Sequence, residues 1–269
     1  MLVLPILVPL STAAMLMLAP KRPAPQRWIS LAGSVLLLTS AVLAFLRVNA
    51  AGVQVLQISS WPAPFGITLV ADLLAAILVV AVGVVGTVIS IVAFSGVDPR
   101  REAFGYHPLF QILLMGVAGA FLTGDFFNLY VWFEVMLVAS FVLMALNRTR
   151  EQMEAAFKYV TINLIASSIF LTALGLLYGA TGTLNMAHLA CIWPTITTPG
   201  VDAVLAVLFM IAFSIKAGLF PLFFWLPASY HTAPSGVAAA LAGLLTKAAF
   251  GACLRILLLV FGLDRKSVV

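Results

Sequence analysis

Three ionisable side chains stand within long runs of apolar residues, where charge is costly. Glu134, Lys216 and Lys247 are flanked on both sides mainly by Leu, Val, Phe, Ala and Gly. A charged group at the centre of a bilayer costs at least ~2.5–3.5 kcal/mol, so it usually serves a water-filled path or an ion pair. One carboxylate and two amines at similar depth can bind and release protons, which predicts a buried proton relay.

The alternative is a structural ion pair in which Glu134 neutralises one of the lysines. Pairing offsets much of the desolvation cost, but it leaves the second ammonium without a partner. Burial and repulsion between the lysines favour a neutral amine, whereas Glu134 favours the charged form. A lysine held between these opposing effects can load and release a proton near neutral pH, so the relay is the preferred interpretation.

The apolar segment that carries Lys216 is interrupted by a glycine and a proline. Gly218 and Pro221 follow the lysine closely, and the proline ring is expected to clash with the carbonyl of Ala217 one turn earlier. Irregular backbone at membrane depth is tolerated where it lines a cavity. We therefore expect a broken helix that frees backbone carbonyls beside Lys216; the alternative is a plain proline kink.

Three further ionisable residues each have two interpretations. His231 follows the break and either passes protons from Lys216 to the next station or is a solvated loop residue, since histidine titrates near pH ~6.5. Asp72 is either an acid at a channel mouth that could meet an ion or a helix-end residue. Lys158 either feeds protons inward or extends its ammonium to the membrane surface.

These side chains must be positioned by membrane-spanning helices, because the composition excludes a soluble protein. Of the 269 residues, 63% are hydrophobic and 9% are charged, whereas soluble domains average about 45–50% and about 25%. Apolar stretches long enough to cross a bilayer predict an all-α membrane protein with about eight transmembrane helices. They run approximately over 2–19, 28–46, 68–94, 108–123, 126–146, 155–178, 201–226 and 235–260.

Basic residues indicate the direction of these spans. The loops after the second, fourth and sixth spans are nearly free of Lys and Arg, and the loops after odd-numbered spans carry Lys21, Arg22, Arg27, Arg100, Arg101, Arg148 and Arg150. By the positive-inside rule, the odd loops face the cytoplasm and the N-terminus lies outside a cell inner (plasma) membrane. The net charge of +5 therefore reflects topology, and we expect the lipid bilayer, not nucleic acid, as the surrounding partner.

The sequence contains no motif for a cofactor or a metal. Cys191 and Cys253 are too few for an iron–sulfur cluster held by four thiolates. No P-loop, GxGxxG, CxxC or HExxH pattern occurs. We therefore expect side chains and water to carry the chemistry, without a cofactor or metal.

Three segments resemble a known family. The run LTGDFFNLYVWFEVM at 122–136 resembles the fifth-helix signature of the proton-translocating antiporter-like family. That family includes subunits of Mrp-type cation/proton antiporters and the large membrane-arm subunits of NADH–quinone oxidoreductase. Residues 216–227 resemble its broken seventh helix and 244–247 its eighth; the runs 125–134 and 178–187 look most like the D-type subunits of Mrp antiporters.

The resemblance implies a role for each buried charge. Glu134 would pair with Lys216 and tune it, Lys216 would be the central proton carrier at the break, and Lys247 would be the next station, with His231 alongside. It also implies three N-terminal helices over 1–107, a first five-helix repeat (helices four to eight, with helix seven broken) over 108–263, and a short tail over 264–269. Family members carry two such repeats, so we expect the N-terminal half only, as a fragment or a truncated reading frame.

The function implied by the resemblance is a proton-translocating membrane subunit of a multisubunit monovalent cation (Na⁺ or K⁺)/proton antiporter. Its partners would be the other membrane subunits of the complex, and it would be a secondary transporter subunit, not an enzyme. One alternative is a proton-pumping subunit of NADH–quinone oxidoreductase or a related hydrogenase. A second alternative, from another class, is an inactive fragment or scaffold.

Overall fold

Each apolar segment of the sequence forms helix, as the lack of water at membrane depth demands of the backbone. The computed structural model describes residues 1–19, 22–146, 149–195 and 200–259. The expected tail at 264–269 and two of the basic loop residues, Lys21 and Arg148, lie outside the described residues.

The expectation of an all-α membrane fold is confirmed. Five helical segments are long and apolar enough to cross a membrane, and two more, Leu4–Leu18 and Tyr106–Leu122, are shorter apolar helices. The count of eight crossings stays a prediction. The helices of the described chain are α1 (Leu4–Leu18), α2 (Pro23–Ala51), α3 (Leu73–Gly96), α4 (Pro99–Ala103), α5 (Tyr106–Leu122), α6 (Phe126–Met144), α7 (Arg150–Thr181), α8 (Met186–Ile192), α9 (Val201–Ala217), α10 (Trp225–Tyr230), α11 (Ser235–Ala240) and α12 (Thr246–Leu259).

The loops meet in two groups, as helices that alternate in direction require. In one group, which we call the even end, the Gly124 N–H donates to the Thr68 carbonyl at 2.8 Å, and a β-bridge joins Asp125 to Asn185. In the other group, the odd end, Gln152 Nε2 donates to the Thr232 carbonyl at 3.0 Å. This grouping agrees with the predicted alternation, whereas which end faces the cytoplasm stays a prediction.

The even end contains structure that hydropathy did not reveal. The second loop forms an antiparallel hairpin of β1 (Gln54–Gln57) and β2 (Thr68–Ala71), and its second strand is largely buried. Beside it, α8 is capped by Asn185, whose side chain accepts from the His188 N–H at 3.1 Å. The hairpin covers the ends of α5 and α6 and so fixes where they enter the bundle.

Helix α5 is the central element, and nearly all its residues are buried. Its contact with α6 is close because Gly116 and Gly119 present no side chain to that helix, as small residues do in membrane proteins. A Cβ placed on Gly119 would overlap the indole ring of Trp132. That indole is held by a 2.8 Å hydrogen bond from its Nε1 to Asn128 Oδ1, so it cannot move aside freely.

We therefore predict that Gly119→Ala destabilises the protein by about 1–3 kcal/mol, the usual cost of overpacking a close contact. The measurement is thermal or denaturant unfolding of the purified protein in detergent. Gly175→Ala is the matched control, because a Cβ on this helical glycine meets nothing within 4 Å. Equal stability of the two variants would contradict the close α5–α6 contact.

Candidate functional site

The helix that carries Lys216 ends immediately after it. Gly218 adopts the left-handed conformation, with φ 68° and ψ 41°, and caps α9. Its N–H donates to the Ile215 carbonyl at 3.1 Å, and the Leu219 N–H donates to the Ser214 carbonyl at 2.9 Å. Glycine is needed here, because the left-handed conformation is strained for other residues and a Cβ would overlap the Leu226 side chain.

The predicted break is present, but its cause differs from the predicted one. The helix stops at Gly218, so Pro221 lies in the following non-helical stretch and does not clash with a helical Ala217 carbonyl. The chain becomes helical again at α10. There the buried Trp225 donates from Nε1 to the Ile215 carbonyl at 2.7 Å, which satisfies a carbonyl at the end of α9 beside Lys216.

Lys216 and Glu134 are brought together, but a serine stands between them. Lys216 is 4% exposed, and its Nζ donates to Ser167 Oγ at 2.8 Å. The Ser167 hydroxyl donates in turn to Glu134 Oε1, and no direct salt bridge joins the two charged groups among the described residues. The expected direct pair is therefore a bridged one, with one residue each from α6, α7 and α9.

An aromatic ring completes the surroundings of the amine. Lys216 Nζ lies 5.0 Å from the centroid of the Phe133 ring, a distance at which the face of the ring attracts a cation. Phe133 is itself packed against Phe170 and Phe213. The described contacts of the amine are therefore one hydroxyl group and one ring face. Because these are few, the negative charge of Glu134 beyond the serine is needed to favour the charged amine.

Ser167 belongs to a polar face of α7 that the sequence reasoning missed. Gln152, Tyr159, Asn163 and Ser167 recur at spacings of 7, 4 and 4, which places them on one side of a helix, and all are buried. The Tyr159 hydroxyl lies 2.6 Å from Ser140 Oγ. This polar face of α7 runs from the acid–amine site to the odd end. Its helical spacing is visible in the sequence and could have predicted a polar face on this helix.

Two polar groups of α10 face the same region without partners. Tyr230 Oη and Ser229 Oγ are buried and make no hydrogen bond to any described residue. Buried polar atoms without a protein partner normally bind water. Together with the polar face of α7, they give the odd half of the bundle between α7 and α10 groups that can hold water.

Lys247 is not brought into contact with the acid–amine site. It follows a π-helical turn at Leu241–Leu245, and its Nζ donates to the Ala242 carbonyl at 2.8 Å. Its side chain is exposed on the surface of the described chain. Of the three charges expected to share one polar plane, Glu134 and Lys216 are joined through Ser167, whereas α12 turns Lys247 outward.

His231, Asp72 and Lys158 also lie apart from the acid–amine site. His231 is exposed, and its Nδ1 donates to the Pro227 carbonyl at 2.9 Å. Asp72 is a helix-end residue: it caps α3 through the Ala75 N–H at 2.7 Å. Lys158 is exposed and pairs with Glu154 at 2.6 Å, as expected of a lysine that reaches the membrane surface.

Asp72 has a second partner that the sequence did not suggest. Arg255 Nη2 lies 3.3 Å from its Oδ2, and Arg255 Nη1 donates to the Thr123 carbonyl at 2.7 Å. This contact fastens the end of α12 to α3 and to the α5–α6 hairpin at the even end. Within the described ranges, no cluster of three or more His, Cys, Asp or Glu residues could hold a metal ion.

Known membrane-complex subunits are similar to this chain in sequence and fold. The D-type subunit of a Na⁺/H⁺ antiporter from Alkalihalophilus pseudofirmus is 44% identical over 264 residues, which is 98% of this chain and 54% of that protein. A chain of the Mrp complex from a Dietzia species superposes with a TM-score of 0.88 at 32% identity, over 97% of this chain and 48% of that one.

A respiratory complex gives an equally close structural match. A chain of the archaeal membrane-bound sulfane sulfur reductase has a TM-score of 0.88 at 33% identity, over 96% of this chain and 53% of that one. This chain thus spans about half the length of the relatives it matches. The family described as NADH:quinone oxidoreductase/Mrp antiporter, TM, matches residues 123–268, which include Glu134, Ser167, Lys216 and Lys247. The chain belongs to this family of antiporter and respiratory-complex membrane subunits.

Proposed function

We propose that this chain is a proton-translocating membrane part of a multisubunit monovalent cation/proton antiporter. The observation that carries the proposal is the hydrogen-bonded series Lys216–Ser167–Glu134 at the end of a broken helix. The name of the Alkalihalophilus relative supports the exchange of Na⁺ for protons. The match to the Mrp complex supports other membrane subunits as partners.

The serine gives the site a route for proton exchange. The Lys216 ammonium donates to Ser167 Oγ, and the Ser167 hydroxyl donates to the Glu134 carboxylate. If both protons shift along this series, the amine and the acid become neutral and the serine regains its hydroxyl. In a low-dielectric site, hydration or a nearby charge decides which form is more stable. Movement of a cation elsewhere in the complex would change whether the charged or the neutral form of Lys216 and Glu134 is more stable.

The polar face of α7 is the proposed access route from the odd end. Water bound by Tyr230 Oη and Ser229 Oγ would continue the route between Tyr159 and Lys216. If the positive-inside rule holds for this chain, the odd end is cytoplasmic and the N-terminus lies outside the plasma membrane. Lys247 would be the onward station, reached through water because no described residue joins it to Lys216.

A redox-driven proton pump is the second candidate. The match to the sulfane sulfur reductase, a respiratory membrane complex, favours it. The same Glu134, Ser167 and Lys216 would carry the proton, and electron transfer in partner subunits would replace the cation gradient as the driving force. The third alternative, a non-transporting scaffold, predicts no proton flux under any driving force.

Lys216→Ala in the full-length parent protein is expected to abolish growth of an antiporter-deficient cell in high salt. The substitution removes the only described amine in contact with Ser167, so no proton can load at the break. Lys158→Ala is the matched control, because that exposed lysine has Glu154, on the same helix surface, as its ion-pair partner among the described residues. Retained salt tolerance in the Lys216 variant, at normal protein levels, would reject the relay.

Ser167→Ala is expected to slow proton flux about tenfold or more, because a positioned group in a proton transfer typically contributes at least that much. Ser168→Ala is the neighbouring control, since its exposed hydroxyl bonds only to the Leu164 carbonyl. Ser167→Thr, which retains a hydroxyl, should restore most of the rate. The measurement is proton flux in vesicles containing the full-length complex, and equal rates for the two alanine variants would contradict a bridging role.

The driving force separates the three candidate functions. In everted vesicles with a preformed pH gradient, addition of Na⁺ or K⁺ should dissipate the gradient without any electron donor. Flux that appears only with a reductant and quinone would favour the redox pump. Absence of flux under both conditions, with the complex intact, would favour the scaffold.

A further inference from the structure

A second cluster of buried ionisable groups lies at the odd end, before the residues 123–268 that the family model matches. Glu102, on the short helix α4, has a side chain that is only 2% exposed. Arg27 of α2 holds it with two hydrogen bonds, of 2.7 and 3.1 Å. His107 Nε2 lies 3.1 Å from the same carboxylate, and its side chain is 1% exposed.

The cluster continues inward through neutral polar groups. Gln111 Nε2 donates to the Ser30 carbonyl at 2.9 Å and to Ser34 Oγ at 3.0 Å. Ser34 Oγ lies 2.9 Å from Ser90 Oγ on α3. Polar side chains thus link helices α2, α3, α4 and α5. No described hydrogen bond joins these polar side chains to Lys216 or Glu134.

One gap interrupts these contacts. His107 Nδ1 and Gln111 Oε1 are buried, and neither has a hydrogen-bond partner in the described chain. The two residues are four apart on α5, so their side chains share one face of the helix. A buried nitrogen and a buried carbonyl oxygen that make no hydrogen bond each carry a desolvation cost that no described contact offsets.

The two unpartnered atoms are complementary when His107 carries a second proton. A neutral His107 that donates from Nε2 to Glu102 leaves Nδ1 as an acceptor, which the Gln111 oxygen cannot satisfy. Protonation would convert Nδ1 into a donor, and the Gln111 oxygen, four residues along the same face of the helix, is an unpartnered acceptor that a change of side-chain rotamer would bring to it. An open cavity of about 370 Å³ at the odd end, lined by Glu102 together with Gln26 and Phe104, would admit the proton from that side.

The surrounding charges oppose one another. Burial and Arg27 disfavour an imidazolium, whereas the Glu102 carboxylate favours it. Arg101 on α4 adds a further positive charge nearby, and helices α1 and α3 carry no charged residue. The other charges on helices that pack against α5 lie apart: Glu134 binds Ser167, Lys247 is exposed, and Arg47 and Arg255 lie towards the even end.

We propose that His107, with Glu102 and Gln111, is a second proton-binding site, which fastens α4 to α5 when it is loaded. A proton added to Nδ1 would give Glu102 two cationic partners and connect His107 to Gln111. The polar contacts would then run without interruption from α4 to α3. Loss of the proton would reopen the gap and replace the ion pair between His107 and Glu102 by a weaker neutral hydrogen bond, which would loosen the loop that contains α4. This site does not depend on the proposed function, because it shares no described contact with the acid–amine site.

Direct titration of the imidazole tests the proton site without any variant. We expect the ¹⁵N resonances of His107 in the full-length protein to move from the neutral, Nε2-protonated form towards the doubly protonated form as the pH falls from about 8 to 5, with the change concentrated at the acid end because burial lowers the pKa of His107. His107→Gln assigns the signal by its disappearance. A His107 signal that keeps one protonation state across this range would overturn the proposal.

Thiol labelling at a position beside α4 tests whether protonation of His107 holds this helix more firmly against α5. Phe104 is 52% exposed, and Phe104→Cys in a background with Cys191 and Cys253 replaced offers a single thiol. After correction for thiolate content with a free thiol at each pH, labelling should be about threefold or more slower at pH ~5.5 than at pH ~8, because closing lowers the open fraction.

Two histidine variants complete the labelling test. His107→Gln should remove the pH dependence, whereas His188→Gln, at the even end, should retain it. Labelling that responds equally to pH in both variants would overturn the link between His107 and α4.

Discussion

A buried ammonium group must find its partners inside the protein, and Lys216 finds them in Ser167 and the face of Phe133. This constraint fixes how three helices meet. Helix α6 must present Glu134, α7 must present Ser167, and α9 must end beside them. Without these groups the Lys216 ammonium would be buried among apolar side chains. The close α5–α6 contact at Gly119 holds the first of these helices in place.

Both lysines lie beside irregular backbone. Lys216 precedes the glycine cap of α9, and Lys247 follows a π-helical turn whose Ala242 carbonyl accepts its ammonium. Interrupted helices expose carbonyl oxygens that a regular helix uses internally, and these oxygens stabilise cations at membrane depth. Of the two lysines, Lys247 uses such an oxygen, whereas the Ile215 carbonyl beside Lys216 accepts from Trp225 and the Lys216 ammonium bonds to Ser167.

Polar groups divide the bundle into separate regions. The acid–amine site and the polar face of α7 occupy one side, and the cluster of Arg27, Glu102 and His107 occupies the other. At the even end, Arg255 joins α12 to α3. The apolar core between these regions keeps them apart, so no hydrogen bond among the described residues carries a proton from one region to another.

The sequence by itself determined the class of fold, the placement of the apolar segments, the break after Lys216 and the residues whose burial would be costly. Those features follow from hydropathy, from the conformational limits of glycine and proline, and from the cost of charge in a bilayer, all of which are local. Ser167 escaped notice because a single serine in an apolar helix costs little; only its helical spacing with Asn163, Tyr159 and Gln152 marks it. Only the tertiary structure decided that Ser167 stands between Glu134 and Lys216, that Lys247 turns outward, and that Arg27 meets Glu102. Such pairings depend on how each helix is rotated about its axis and which neighbour it packs against, and hydropathy is nearly the same for several rotations of an almost wholly apolar helix.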